Sequence, residues 1–265
     1  MTTELLWKQA PLLIEGEEIP KLHYYPAAER KHPGCVVIFP GGGFSHRAVH
    51  EGDGYARFLN ENGMDAFVVD YRIIPYQYPC ELLDARRAVR VVRSRAKELG
   101  LDPDKIAVMG SSAGGTLVGL LCTVDTVFPS EGKDDIDALS CMPDAQILCY
   151  PYICMDSVKT RSDGCNRNLL GESRLGWAAS LSPEMHVKDN PPPAFFFHTF
   201  ADNGINVSHS FAYAQAIREK NGAAELHIYP EGRHGLGLCE AEPRLEPYAA
   251  QWGEQLIRWL SHIGF

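Results

Sequence analysis

The stretch that decides the fold runs from residue 106 to residue 114 and reads Ile106-Ala107-Val108-Met109-Gly110-Ser111-Ser112-Ala113-Gly114. Its first four residues form the apolar, partly β-branched run typical of a buried strand. The five that follow match Gly-x-Ser-x-Gly, and helical periodicity resumes directly after them. A chance match to this motif occurs in about one chain in nine of this composition, so the strand–turn–helix setting carries the interpretation. It predicts a nucleophile elbow with Ser112 exposed at the turn, and a plain glycine-rich turn is the alternative.

Short apolar runs and helical patterns alternate outward from this stretch. Further strands are predicted at residues 35–39, 66–70, 146–150, 194–198 and 224–229, and helices at 54–62, 84–99, 113 to about 122, 207–221 and about 248–262. This order predicts the α/β class, with a mostly parallel, doubly wound sheet and helices on both faces. A length of 265 residues suits a single domain over residues 1–265.

Two segments of the chain lead to further predictions, one about a lid and one about a helix surface. Residues 151–193 show poor periodicity and several Gly, Asn and Pro residues, which predicts a small lid-like insertion or binding loop. In the predicted helix 84–99, Arg86, Arg90 and Arg93 fall away from the apolar face. The pattern indicates that these arginines form a solvated helix surface.

The predicted nucleophile needs a base and an orienting acid. A serine hydroxyl is a poor nucleophile until a base removes its proton. After such an elbow the partners are expected in the order Asp or Glu, then His. His234 lies in a glycine-rich loop after the strand 224–229, and Asp202 lies in the loop after the strand 194–198. Asp189 is the competing acid, and a local turn or helix cap is the alternative role for Asp202.

Acyl transfer also needs backbone amides that stabilise the negative oxygen of the tetrahedral intermediate. The amide of Ala113, the residue after the nucleophile, is the first candidate. The glycine-rich loop after the strand 35–39 offers the others, at Gly42 and Gly43. A phosphate-binding loop is the alternative, but no Gly-Lys-Ser or Gly-Lys-Thr follows.

Composition narrows the class of protein. The net charge is −9 and no Lys/Arg cluster is present, which argues against a nucleic-acid partner. Neither a signal-peptide pattern nor an apolar stretch long enough to span a bilayer is found, so a cytoplasmic protein without a membrane partner is expected. The eight cysteines are irregularly spaced and fit reduced thiols, with no metal and no cofactor expected. The oligomeric state stays open, a homo-oligomer included.

With these residues in place, the sequence resembles α/β-hydrolase fold serine esterases, and more narrowly the carbohydrate-esterase branch with acetyl-xylan-esterase-like and xylanase-associated proteins. The matching pieces are Phe39-Pro40-Gly41-Gly42-Gly43-Phe44, Val69-Asp70-Tyr71-Arg72, Gly110-Ser111-Ser112-Ala113-Gly114-Gly115, Ser182-Pro183-Glu184, Pro191-Pro192-Pro193-Ala194, His198-Thr199 through Asp202, and Gly232-Arg233-His234-Gly235. The resemblance implies Ser112 as nucleophile, His234 as base and Asp202 as its orienter. Two departures stand out: Ile205-Asn206 replaces a usual Val-Pro, and Thr116 stands where many relatives have His.

The function expected is therefore that of a serine carboxylesterase that removes short acyl groups, acetyl above all, from small or sugar-based substrates through an acyl-enzyme. Phe44 and Trp177 are expected to line its substrate pocket. A peptidase related to the prolyl-oligopeptidase catalytic domain is the enzymatic alternative. A non-catalytic α/β-hydrolase-fold binding protein is the other, although such proteins typically lose a triad residue.

Overall fold

A computed structural model describes residues 1–129, 131, 133–241 and 246–265, which form one eight-stranded sheet flanked by helices. The strands are β1 (Thr2–Leu5), β2 (Lys21–Tyr25), β3 (Cys35–Phe39), β4 (Asp65–Asp70), β5 (Ile106–Ser111), β6 (Ala145–Cys149), β7 (Ala194–Thr199) and β8 (Ala224–Tyr229). The helices are α1 (Val49–Glu61), α2 (Cys80–Leu99), α3 (Ala113–Thr123), α4 (Asp163–Leu170), α5 (Ala178–Leu181), α6 (Ser208–Glu219), α7 (Glu246–Ala249) and α8 (Gln251–His262).

The sheet order is β1-β2-β4-β3-β5-β6-β7-β8, and every pair from β4 to β8 is parallel. The predicted mostly parallel α/β sheet is thereby confirmed. Strands β1 and β2 were not predicted; they add an antiparallel edge next to β4. β1 is mostly exposed and β2 mostly half-buried, so their sequences lack the continuous apolar run that marks the central strands.

Helices α1 and α2 each begin about one turn earlier than their predicted bounds. The insertion contains α4, α5 and two 3₁₀ turns, Glu172–Trp177 and Pro183–Met185. Short elements of this kind depend on packing against the rest of the fold more than on their own periodicity. None of the helices in the part of the chain that the structure describes has the length and apolarity to cross a membrane.

Alternate residues of the strands fill two cores, one on each face of the sheet. Val36 and Ile38 of β3 pack with Tyr55 of α1 and Trp252 of α8. Residues of the opposite parity, such as Val37, pack with α2, α3 and α6. Because the parallel strands all point the same way, the loops after β3, β5, β7 and β8 meet at one edge of the sheet.

The predicted solvated face of α2 was wrong. Arg86 is buried, and Arg86 and Arg90 both pair with Glu131, at 2.7 and 2.8 Å. Arg93 pairs with Asp144 at 2.9 Å. The carboxylates are those of Glu131 and Asp144, two described residues between α3 and β6 that lie against this face of α2. Helical periodicity cannot reveal this cover, because the covering residues lie 41 to 51 positions away in the sequence.

Candidate active site

The turn from β5 into α3 places Ser112 in a strained backbone conformation, with φ +52° and ψ −117°. A Cβ on Gly110 would collide with the carbonyl of Gly114, and one on Gly114 would collide with the carbonyl of Phe39. The glycines of the motif are therefore required by close backbone packing. Strain at a non-glycine residue persists only where the surrounding structure enforces it, and it clusters at functional sites.

His234 and Asp202 lie in line with this serine. His234 Nε2 is 2.8 Å from Ser112 Oγ, and His234 Nδ1 is 2.7 Å from Asp202 Oδ2. A carboxylate only accepts hydrogen bonds, so Nδ1 carries the imidazole proton and Nε2 is free to accept the serine proton. The three residues come from the loops after β5, β7 and β8. The competing acid Asp189 lies on the surface and pairs with Lys220 at 3.2 Å.

Four donors surround the carboxylate of Asp202. The amides of Gly204 and Ile205 each donate to Oδ1 at 2.8 Å, while His234 and, at 3.3 Å, His198 approach Oδ2. Burial by itself raises the pKa of Asp202, but the hydrogen bonds from His198 and His234 outweigh it and hold that pKa well below its usual range. Asp202 is therefore ionised at neutral pH and can accept the hydrogen bond from His234 Nδ1.

The glycine loop after β3 lies against the elbow. Gly42 and Gly43 have φ of +129° and +61°, values that favour glycine, and both face the cavity of Ser112 and His234. Asn168 Nδ2 of α4 donates to the carbonyl of Gly43 at 2.7 Å. Ala113 is the first residue of α3, where backbone N–H groups have no partner within the helix. The insertion thus helps to hold the loop that was predicted to donate amides.

The cavity over Ser112 and His234 has a volume of about 480 Å³. Its lining is mostly small or polar: Gly42, Gly43, Ser45, His46, Ala48, His50, Glu51, Ser162, Cys165, Gly204, Ile205, Arg233 and Gly235. Apolar side chains are few, and those of Cys165 and Ile205 are the largest among them. The wall suits a small acyl group and a polar alcohol better than a long alkyl chain.

Phe44 and Trp177 do not lie in the lining of this cavity. Phe44 is fully buried, in the same core cluster as residues of α2 and α3, and its backbone has a positive φ of +60°. Trp177 is 47% exposed and stacks with Arg174, 5.5 Å from the guanidinium carbon to the ring centroid. The sequence analysis placed both rings in the pocket because Phe44 follows the glycine loop and Trp177 lies in the insertion. Neither position determines the direction of the side chain.

Sequence reasoning missed three residues that hold the site together: Glu51, Tyr150 and Asn168. Glu51 is buried on α1 and bonds the amide of Gly41. Tyr150 follows β6 with a φ of +37° and donates to Glu51. A glutamate soon after a glycine loop and a tyrosine at a strand end were the only local signals, and both are common in other settings.

No disulfide joins any of the eight cysteines, all of which lie among the described residues. Burial raises the pKa of Cys35, Cys122 and Cys149, so these thiols stay protonated. No group of three or more His, Cys, Asp or Glu side chains that could hold a metal ion occurs within the described ranges.

Comparison with known proteins gives a consistent result. The profile of the family BD-FAE matches residues 23–217. The endo-1,4-beta-xylanase B of Butyrivibrio fibrisolvens is 34% identical over 249 residues, which are 90% of this chain and 38% of that protein. The acetylxylan esterase of Xylanibacter ruminicola is 31% identical over 210 residues, 77% of this chain and 41% of that protein. The chain thus spans about two-fifths of the length of these two curated relatives.

Solved structures resemble the whole chain. An acetyl ester-xyloside bifunctional hydrolase from Caldicellulosiruptor lactoaceticus is 37% identical, with a TM-score of 0.91 over 100% of this chain and 97% of that one. Esterase Est2 of Thermogutta terrifontis, in a propionate-bound structure, is 26% identical, with a TM-score of 0.80 over 100% of this chain and 94% of that one. The fold is that of the α/β-hydrolase esterases.

Proposed function

Because the chain belongs to the BD-FAE family of α/β-hydrolase esterases, we propose that it is a serine carboxylesterase that cleaves short-chain esters through an acyl-enzyme. The observation that carries this proposal is the continuous chain from Ser112 Oγ through His234 to Asp202, with links of 2.8 and 2.7 Å. This geometry supports the proposed roles of Ser112 as nucleophile, His234 as base and Asp202 as orienting acid.

The proposed reaction has two halves. Ser112 Oγ attacks the ester carbonyl while its proton passes to His234 Nε2, and the resulting imidazolium gives that proton to the leaving alcohol oxygen. A water molecule then loses a proton to His234 Nε2 and attacks the acyl-serine. The carboxylic acid leaves as Ser112 recovers the proton. Asp202 stabilises the imidazolium in both halves without itself taking a proton.

The amides of Ala113, Gly42 and Gly43 are the proposed donors to the tetrahedral oxyanion. Ala113 begins α3, so its amide is available at a helix N-terminus, where partial positive charge accumulates. The two glycines line the same cavity as Ser112, and positive φ lets their backbone approach the substrate closely. Such preorganised donors are typically worth about 10²–10³ in kcat each.

The proposed substrate is an acetyl or other short-chain ester with a sugar-like alcohol. The cavity of about 480 Å³ has few apolar side chains, and each buried methylene of an acyl chain contributes only about 0.8 kcal/mol where an apolar wall exists. The names of the acetylxylan esterase and of the acetyl ester-xyloside hydrolase support this choice, as does the propionate bound to Est2. Residues 151–193 would act as a short lid, and the irregular spacing of the eight cysteines favours a cytoplasmic location.

The test is kcat/KM across p-nitrophenyl acetate, butyrate, octanoate and palmitate, beside acetylated xylo-oligosaccharides and a proline-containing peptide. We expect the highest value for acetate or butyrate, release of acetate from the sugars and no peptide cleavage. Ser112→Ala supplies the blank. A rise towards octanoate would contradict the short-acyl proposal. Activity on simple acetates without activity on acetylated sugars would contradict only the proposal of a sugar alcohol. Inactivity on every ester would overturn the proposed esterase function.

A further inference from the structure

Glu51 is a largely buried acidic side chain in the wall of the candidate active-site cavity. It lies on the first turn of α1 and is 3% exposed. Its Oε2 accepts a hydrogen bond of 2.7 Å from the amide of Gly41, and its Oε1 accepts one of 2.7 Å from the hydroxyl of Tyr150. The proposed reaction assigns this carboxylate no step.

The bond to Gly41 lies where the glycine loop meets the nucleophile elbow. A Cβ built on Gly41 would lie 2.6 Å from Glu51 Oε2, 2.7 Å from the carbonyl oxygen of Ser111 and 3.1 Å from Ser112 Cβ. Gly41 is thus held between the carboxylate and the residues of the elbow. Gly41 directly precedes Gly42 and Gly43, so the bond with Glu51 is made one residue before the glycines that line the cavity of Ser112.

The bond between Glu51 and Tyr150 connects this network to the nucleophile elbow and to the loop that carries His234. Because the Tyr150 proton goes to Glu51, its oxygen must accept the two neighbouring contacts: the Gly237 amide at 2.9 Å and the Tyr55 hydroxyl at 3.1 Å. Tyr55 in turn lies 3.1 Å from Ser111 Oγ, so Ser111 donates to it. The rings of Tyr150 and His234 also pack in a T-shaped arrangement, with centroids 5.2 Å apart.

We propose that Glu51 is a positioning residue for the proposed esterase reaction: it ties the glycine loop, the elbow and the His234 loop into one hydrogen-bonded unit through Gly41 and Tyr150. This role rests on the proposed function. It requires a carboxylate, since both partners are donors and only a side chain with two acceptor oxygens satisfies them. A glutamine would turn an N–H₂ group towards one of these donors.

The test replaces Glu51 by glutamine and compares ground-state with tetrahedral-state binding. In Glu51→Gln we expect kcat on p-nitrophenyl acetate to fall by about 10- to 100-fold, because a misplacement of about 1 Å in the donors costs that much. KM should stay within about threefold. The Ki of a methyl trifluoromethyl ketone, which forms a tetrahedral adduct on the serine, should rise in parallel with the loss of kcat/KM. A loss of packing alone would not produce this split.

Two further variants isolate the effect. Asp53→Asn removes a half-exposed carboxylate from the same helix, where it pairs with Arg57, and should leave kcat, KM and Ki unchanged. Tyr150→Phe keeps the Glu51–Gly41 bond and removes the hydroxyl that links Gly237 and Tyr55. Its kcat should fall less, by about 3- to 10-fold, with a nearly unchanged trifluoromethyl ketone Ki.

A Glu51→Gln enzyme with wild-type kcat and Ki would overturn the proposal, and so would one that loses only thermal stability. If Glu51→Gln does not fold, Tyr150→Phe decides: wild-type kcat in that variant overturns the linked unit. Failure of the proposed function would look different, since the wild-type chain itself would then hydrolyse no ester and bind no trifluoromethyl ketone.

Discussion

Two buried glutamates begin helices on opposite faces of the sheet, and they are held differently. Glu51, on the first turn of α1, has a donor on each carboxyl oxygen. Glu81, on the first turn of α2, is fully buried, yet neither of its oxygens receives a hydrogen bond from another residue in the described ranges. Burial raises the pKa of Glu81 to about 8.

The difference shows what a buried carboxyl can do in this fold. A buried carboxyl group that receives hydrogen bonds can hold neighbouring loops together, as we propose for Glu51. It can also stay ionised beside an imidazole, as at Asp202. Without donors, burial favours the neutral acid, so Glu81 packs as a neutral side chain near neutral pH, and its contribution to stability falls as the pH rises from 4.5 through 8. Substitution of Glu51, on α1, is therefore expected to affect catalysis. Substitution of Glu81, on α2, is expected to affect how stability depends on pH.

The largest expected effect is the loss of activity when the candidate nucleophile is removed. Ser112→Ala should lower kcat by about 10⁵–10⁶-fold while both glutamates and the fold stay intact, because the covalent route disappears. Ester hydrolysis and thermal unfolding, measured together, check this. An organophosphonate probe should modify the wild type at Ser112 and leave the variant unmodified. Modification of Ser111 would place the nucleophile one residue away.

The next effect tests whether a carboxylate surrounded by donors is needed for activity. Asp202→Asn should lower kcat by about 10³–10⁴-fold, because the amide cannot replace the anion that orients and stabilises the His234 imidazolium. Steady-state kinetics on p-nitrophenyl acetate measure the loss. Asp189→Asn is the matched control, since its exposed carboxylate pairs only with Lys220 among the ion pairs described. Loss of activity in the control with a functional Asp202→Asn would assign the acid to Asp189.

The α2 side predicts a pH-dependent effect on stability. The pKa of Glu81 is about 8 in the folded chain against 4.5 for an unperturbed carboxyl, so in this window the folded state holds a proton that the unfolded state has lost. Stability due to this group is therefore full below pH 4.5 and is lost as the pH rises through 8. Glu81→Gln removes that loss, and between pH 5 and 9 the wild type should lose on the order of 3 kcal/mol relative to the variant.

Denaturant unfolding of both proteins at pH 5, 7 and 9 measures this difference. Glu61→Gln removes an exposed glutamate at the end of α1 and should follow the wild type at every pH. If the wild type and Glu81→Gln change in parallel between pH 5 and 9, Glu81 is ionised throughout, and the contrast with Glu51 disappears.

The smallest expected effect is none. A glutamate without hydrogen-bond partners could be taken for part of a cation site, but the described residues offer no cluster of metal-ligating side chains there. Treatment with EDTA should therefore change neither kcat nor the unfolding midpoint at pH 9. A loss of activity that zinc restores would show that the pattern of cysteines and histidines was misinterpreted.

Local sequence was sufficient for the six parallel strands β3 to β8 and for the three candidate residues, because their signals are short-range, but it did not reveal the edge strands β1 and β2. Each central strand is a buried apolar run, and each parallel strand ends in a loop at the same edge, so Ser112, Asp202 and His234 could be placed together from their positions after β5, β7 and β8. Steric demands at Gly110 and Gly114 are equally local. That these residues act as a triad stays a prediction.

Tertiary structure alone decided the surroundings of that site. Glu51 and Tyr150 meet across 99 positions, Asn168 reaches Gly43 across 125, and Glu131 covers Arg86 across 45. Helical periodicity records only which face of a helix is apolar, and it cannot record which distant segment packs there or whether that segment brings donors. The state of a buried carboxyl depends on those donors, so the contrast between Glu51 and Glu81 arises only when the chain is folded.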